Sequence, residues 1–311
     1  MARRCLLQRL PGAKRAAAPG LLLLLLCMRL SPGILYMLAS TALLAVVNVA
    51  VKKLDGLPTA EIIFARCFIS LTLTVIQLRR THEPVWGPPE ARGNLWGRGI
   101  FGAGSIIGGF LALKALPIGG AVTLTYLAPV VTAVAATWLV GEPLKPWQWL
   151  FYALAVAGVV LAKGTEGLLS AGVLVGVGAA VSSGLSSVFL RRVGDSIAPL
   201  VPVFYFNLVP LAIAAVWMLF DLQLPHGTQW AWLALAGVLT HLGLWCVTQA
   251  FQEKQANFVA ALDYLGLLYA TALGYFVFGD KIKPTVYPGI ALVLLGVGLN
   301  AWYTSRQAKA A

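Results

Sequence analysis

Gly141-Glu142-Pro143-Leu144-Lys145-Pro146 separates two long apolar runs, and 138 residues later Gly279-Asp280-Lys281-Ile282-Lys283-Pro284 does the same. Laid over residues 250–299 without a gap, residues 112–161 share 12 identities in 50 positions, among them Leu124/Leu262, Tyr126/Tyr264, Leu127/Leu265, Gly158/Gly296 and Leu161/Leu299. A turn copied together with the apolar runs on both its sides marks an internal duplication.

The apolar runs fix the solvent. Only 11% of the 311 residues are charged and the mean hydropathy is +0.83, whereas a water-soluble domain carries about 25% charged residues. Lipid must surround most of the chain. A membrane barrel would show alternation with period two in segments of about ten residues, and the long continuous runs here do not. The predicted class is therefore an all-α integral membrane protein. The net charge of +12 sits in short loops and at the N-terminus with no interleaved aromatics, which excludes nucleic acid as the partner and leaves topology as the role of the charge. Cys5, Cys27, Cys67 and Cys246 show no CxxC spacing, so no metal site, disulfide framework or cofactor is expected.

Requiring about 17–25 mostly apolar residues per span gives ten helices, near 33–51, 59–78, 98–115, 119–140, 146–162, 170–190, 198–219, 228–250, 255–278 and 284–303. The organisation read from them is a basic extension (1–30), a first repeat (31–163), a second repeat (168–303) and a short tail (304–311). In the extension, Arg3, Arg4, Arg9, Lys14 and Arg15 precede a Leu21–Leu26 run that Arg29 and Pro32 stop too early to span. No convincing small-residue cleavage site follows, which favours a cytoplasmic extension, or translation from Met28, over a cleaved signal.

With ten spans and a cytoplasmic N-terminus, sixteen Lys and Arg fall inside, Arg98 among them, and six outside. That satisfies the positive-inside rule with both termini cytoplasmic. Five spans per repeat is an odd number, so the second half enters the membrane upside down relative to the first. Inverted repeats give two states of similar energy, open to opposite sides, and internal repeats of this kind recur in secondary transporters.

Ala112-Leu113-Lys114-Ala115-Leu116-Pro117, Thr125-Tyr126-Leu127-Ala128-Pro129-Val130, Gly141-Glu142 and Ala157-Gly158 in the first half, with Asp263-Tyr264-Leu265, Gly279-Asp280 and Leu295-Gly296 in the second, resemble the EamA-type transporters of the drug/metabolite transporter superfamily. The resemblance covers about residues 31–303. It implies a bundle around a central cavity lined by spans one, three, four, six, eight and nine, which exports or imports small metabolites. The second half departs from the first in carrying Leu267 where the first has Pro129, so a helix distortion is expected in span four and not in span nine.

An ionisable group inside a span costs several kcal/mol unless it pairs or lines water, which makes each one a functional candidate. Asp263, whose repeat counterpart is Thr125, lies two turns into span nine beside Tyr264. It suits a substrate ammonium or a coupling proton, or else it anchors a helix end at the membrane surface. His241 shares a helix side with Trp245, Thr248 and Gln249, a cavity wall suited to a zwitterion or an ordinary interhelical histidine. Glu61 and Arg66 stand five residues apart, too far round the helix to pair. Glu61 reads as a helix-start cap, and Arg66 as a carboxylate ligand or a brace between helices. Asn48, Tyr126 and Ser186 add neutral polar groups on cavity-lining spans, and Tyr126 and Tyr264 occupy equivalent positions in the two halves. The Gly172, Gly176, Ala180, Gly184 series and Gly104/Gly108 are spaced for close helix approach.

Val181-Ser182-Ser183-Gly184 lacks the first glycine of the rhomboid protease motif and no His-Glu-x-x-His occurs, which argues against an enzyme. A channel would show charged rings or a filter segment. The expectation is a carrier in a bacterial inner membrane, monomeric or homodimeric, exporting a small polar, amino-acid-like zwitterion with protons as the candidate coupling ion. Uptake is the alternative direction.

Overall fold

The computed structural model describes residues 32–54, 56–116, 118–139, 141, 145–163, 170–194, 197–220, 222–252, 265–279 and 286–308. Among them no strand occurs, and the α-helices are α1 Pro32–Lys53, α2 Thr59–Arg80, α3 Arg92–Ala115, α4 Ile118–Thr125, α5 Ala128–Leu139, α6 Pro146–Lys163, α7 Ala171–Val193, α8 Leu200–Met218, α9 Gln229–Gln252, α10 Leu265–Phe278 and α11 Val286–Ala308. Trp138 on α5 and Phe276 on α10 occupy equivalent repeat positions and are 86% and 81% exposed. Leaving such rings in water forfeits about 1.5–3 kcal/mol each, so hydrocarbon is their medium.

Seven stretches of the described residues are long and apolar enough to cross a bilayer: Gly33–Lys53, Thr59–Arg80, Pro89–Ala115, Gly120–Leu139, Ala171–Val193, Leu200–Met218 and Gln229–Ala250. The other three expected spans coincide with α6, α10 and α11, and in the last two the described apolar stretches, Leu268–Phe278 and Tyr287–Asn300, are shorter. The count of spans is thus seven among the described residues against the ten expected.

One boundary differs from the sequence reading for a clear reason, and the distortion expected in the fourth span is present. The third span begins at Arg92, six residues earlier than expected, because Pro88 and Pro89 lead into a 3-10 turn, Pro89–Ala91, that starts the helix. Arg98 therefore lies inside a helix and not in a loop. The fourth span is broken: Tyr126 N–H bonds Thr123 O at 3.2 Å, Leu127 N–H bonds Leu124 O at 3.1 Å and Val130 N–H bonds Leu127 O at 3.1 Å. Pro129 has no N–H to return to Thr125 and crowds its carbonyl, so three-residue turns replace the α ladder there.

The duplicated turn keeps its backbone. Gly141 has φ of 79° and Gly279 of 64°, a left-handed conformation that other residues adopt only with strain, and Gly279 N–H caps Tyr275 O at 3.0 Å. Glu142 and Asp280 lie outside the described residues.

Helix packing is reciprocal between the repeats. As α3 packs on α7, so α9 packs on α1; as α3 packs on α8, so α9 packs on α2; as α5 packs on α7, so α10 packs on α1; and α2/α8, α6/α11 and α4/α10 close the set. Each pair joins one half to the other. Small residues make the seams close, as their spacing predicted. A Cβ on Gly184 would sit 2.8 Å from Ala128 O, one on Gly108 3.0 Å from Ala179 Cβ, and one on Gly104 2.8 Å from Ser182 Oγ. The α6/α11 seam is symmetric at the atomic level. A Cβ on Gly158 would lie 2.7 Å from both Gly289 O and Val293 N, and one on Gly296 2.5 Å from Phe151 O and 2.9 Å from Ala155 N, residues displaced from one another by the same repeat offset.

Candidate functional site

Along α2, Arg66, Ser70 and Thr74 recur every four residues and so share one face, which is buried against α9. Arg66, 5% exposed, donates from Nε to Thr240 Oγ1 at 2.8 Å, and its guanidinium lies 5.1 Å from the centroid of the Phe110 ring on α3. Its Nη1 is buried without a hydrogen-bond partner, and it forms no ion pair with any Asp or Glu among the described residues. A cation in a helix bundle with a ring beneath it, one hydroxyl beside it and a donor left over is short of an oxyanion.

His241, the next residue on α9, is held at both ring nitrogens. Nδ1 is 3.1 Å from Thr74 Oγ1 and Nε2 is 3.2 Å from Gln77 Oε1, while Thr74 Oγ1 also lies 2.8 Å from Ser70 O as a donor. Trp245 lies one turn on, where it packs edge-on against Tyr36 of α1 with centroids 5.7 Å apart, and Thr248 bonds back to Leu244 O at 2.6 Å. His241 thus bonds to α2, while Trp245 meets α1 at Tyr36 and also packs against the cluster of buried residues that includes Leu78 of α2 and Phe204 of α8. Interhelical hydrogen bonds in membranes average about 0.6 kcal/mol, so His241→Leu is expected to cost about 1 kcal/mol in thermal unfolding and to leave transport within a few-fold of wild type. A loss of transport by orders of magnitude at unchanged stability would give the imidazole a direct role.

Tyr126 is buried where α4, α10 and α1 meet. A Cβ on Gly266 would come within 2.7 Å of its hydroxyl and 3.9 Å of Thr41 Cβ, so a glycine is needed there for the ring to pass. Asn48 is half-buried on α1. Ser186, fully buried on α7, accepts from Arg98 Nη1 at 3.0 Å and donates to Arg98 O at 2.8 Å. Asp263 and Tyr264 lie outside the described residues. Glu61 does not cap α2, whose N-terminus has no side-chain cap. It accepts from the Gln223 amide and ties down the segment after α8.

Sequence reasoning missed the α2 stripe and Arg98. The four-residue spacing of Arg66, Ser70 and Thr74 was a signal for the first. Elsewhere a shallow apolar depression on α8, lined by Ala212, Ile213, Val216, Trp217 and Phe220, carries no polar group suited to binding a metabolite.

Comparison with known proteins places this arrangement. The model of a family described as the EamA-like transporter family matches residues 31–163 and 170–302. The chain is similar to the pseudopaline exporter CntI of Pseudomonas aeruginosa, 26% identical over 278 residues that cover 87% of this chain and 96% of that protein. It is similar to the riboflavin transporter of Vibrio cholerae, 25% identical over 296 residues covering 89% and 95%. Solute carrier family 35 member G1 of Mus musculus is 26% identical over 274 residues, covering 83% of this chain and 72% of that protein. A solved crystal structure, 19% identical, superposes with a TM-score of 0.65 over 87% of this chain and 97% of that one, a likeness of fold.

Proposed function

The chain belongs to the EamA-like transporter family, and from that premise we propose that it exports a small, carboxylate-bearing, amino-acid-like zwitterion by alternating access. It is a multi-pass membrane protein whose relatives are named as transporters. In the proposed arrangement ten helices form two inverted halves, 31–163 and 168–303, in a bacterial inner membrane with both termini cytoplasmic. The reciprocal packing of the halves supports this, since exchanging equivalent contacts between halves is how an inverted pair passes from one open state to the other. The name of the Pseudomonas relative, an exporter, supports the direction.

The observation that carries the substrate class is the unpaired Nη1 of buried Arg66. A substrate carboxylate would take it, leaving the ammonium for Asp263. The test is counterflow of a panel of radiolabelled amino acids into proteoliposomes, with and without an imposed proton gradient. Saturable counterflow without single-channel current is expected, and Asp263→Asn should abolish its dependence on the gradient. Transport of neutral or purely cationic solutes with no zwitterion carried would overturn the substrate class. An Asp263→Asn variant with unchanged rate and pH dependence would remove that residue from the mechanism.

A further inference from the structure

Arg98 repeats the construction of Arg66 near the opposite end of α3. Its guanidinium lies 4.5 Å from the centroid of Phe206 on α8 and gives Nη1 to Ser186 on α7. Nε is buried without a partner, and among the described residues it has no ion pair with an Asp or Glu. Ser186 cannot serve as a counter-charge, because it is neutral and its own proton goes to Arg98 O.

The level of this arginine in the membrane follows from the helix ends. Arg98 is six residues from the start of α3, Ser186 seven from the end of α7 and Phe206 six from the start of α8. At 1.5 Å per residue all three lie about 9–11 Å beneath one common rim. A bilayer's polar layers are each about 5–8 Å thick, so these backbone positions lie a few ångströms inside them, and the guanidinium reaches the headgroup by extension of its stem toward the rim. Trp86 and Trp96, both exposed, flank it at the same end as interfacial aromatics do. Arg79, Arg80, Arg92, Arg191 and Arg192 at that end outnumber Glu83 and Glu90, a positive balance among the described residues. Arg66 stands toward the other end: it is seven residues from the start of α2, its ring partner Phe110 is five from the end of α3, and Thr240 is eleven residues into α9.

We propose that the α3/α7/α8 junction around Arg98 is an oxyanion site at the membrane interface, in which Arg98 receives a phosphate group through its fork of N–H donors. The depth and the interfacial aromatics point to the headgroup of an anionic phospholipid as the source, and a soluble phosphate is the other source the same chemistry would accept. The site stands apart from Arg66 and does not depend on the identity of the transported solute.

The test is thermal unfolding of the full chain in detergent, titrated with dioctanoyl-phosphatidylglycerol, with dioctanoyl-phosphatidylcholine, and with sodium phosphate against sodium chloride at matched ionic strength. Phosphatidylglycerol should raise the midpoint of the wild-type protein and phosphatidylcholine should not. A response to phosphatidylglycerol alone assigns the lipid as source, and an equal response to millimolar phosphate assigns a soluble one. Arg98→Gln should lose the response, and Arg98→Lys, which keeps the charge without the fork, should bind about tenfold more weakly. Should Arg98→Gln fail to fold, Arg98→Lys and native mass spectrometry of the wild type in mixed lipid still decide the matter, by the weakened response and by retention of phosphatidylglycerol over phosphatidylcholine. Equal effects of the two lipids on the wild type with no response to phosphate, or an undiminished response in the Arg98 variants, would overturn the proposal.

Discussion

Arg66→Gln is expected to lower the rate of zwitterion counterflow by about ten- to a hundredfold while the protein remains folded. Hydrogen bonds to charged groups are worth about 1.5–3 kcal/mol, and 1.4 kcal/mol is a factor of ten, which sets the size of the transport effect. The stability effect should be small for a reason visible in the contacts. Removing one member of a buried ion pair costs about 3–5 kcal/mol because the other charge is stranded, and Arg66 has no such partner among the described residues. What is lost is the bond to Thr240, about 0.6 kcal/mol, and the contact with Phe110, about 0.5–2 kcal/mol. Transport in proteoliposomes and thermal unfolding in detergent, measured on the same preparation, separate two readings of this arginine. A dead but stable variant makes Arg66 a substrate ligand. A variant that loses several kcal/mol and transports in proportion to its folded fraction makes it a brace between α2, α3 and α9. Arg66→Lys should fall between wild type and Arg66→Gln in transport, since an ammonium keeps the charge and gives up the planar fork.

Gly296→Ala and Gly158→Ala should be the most destabilising single-methyl changes in the α6/α11 seam. On either glycine a Cβ would meet backbone atoms of the opposing helix at 2.5–2.9 Å, and backbone cannot rotate away as a side chain can. The helices must separate, at a cost of about 1–3 kcal/mol. Because each glycine packs against the helix that carries the other, the first substitution already opens the seam. The double variant should therefore cost clearly less than the two singles together, a coupling of about 0.5 kcal/mol or more. Thermal midpoints for the four members of the cycle check this. Single substitutions worth a few tenths of a kcal/mol, adding without coupling, would show that α6 and α11 are farther apart than described.

The duplicated turn shows what a sequence of this kind reveals. Gly141 and Gly279 are both left-handed, as a glycine copied with the turn should be, and the break before α5 falls where Pro129 required it. Periodicity also identified the close-packing glycines, because small residues at four-residue spacing have one physical use in a membrane. It could not say which helix faces which. His241 and Trp245 were rightly placed one turn apart, yet the side of α9 they occupy is wide enough to touch α1 and α2 at once. Arg98 was misplaced for a different reason. Hydropathy dates the start of a span from its first apolar run, and the helical stretch from Arg92 to Gly97, with few apolar side chains, falls before that run.

The reciprocal packing has a consequence for how the chain is made. Arg66 and Thr240 are 174 residues apart, and a ribosome adds about 5–20 residues per second, so roughly 9–35 s pass between synthesis of the arginine and synthesis of its hydroxyl partner. His241, which meets Thr74 and Gln77, arrives in the same interval. Until then α2 must rest in the bilayer with a charge and two hydroxyls on one face and nothing from α9 to cover them. Retention of that helix in the membrane, before any tertiary contact exists, is the step of biogenesis most exposed to a change in its sequence.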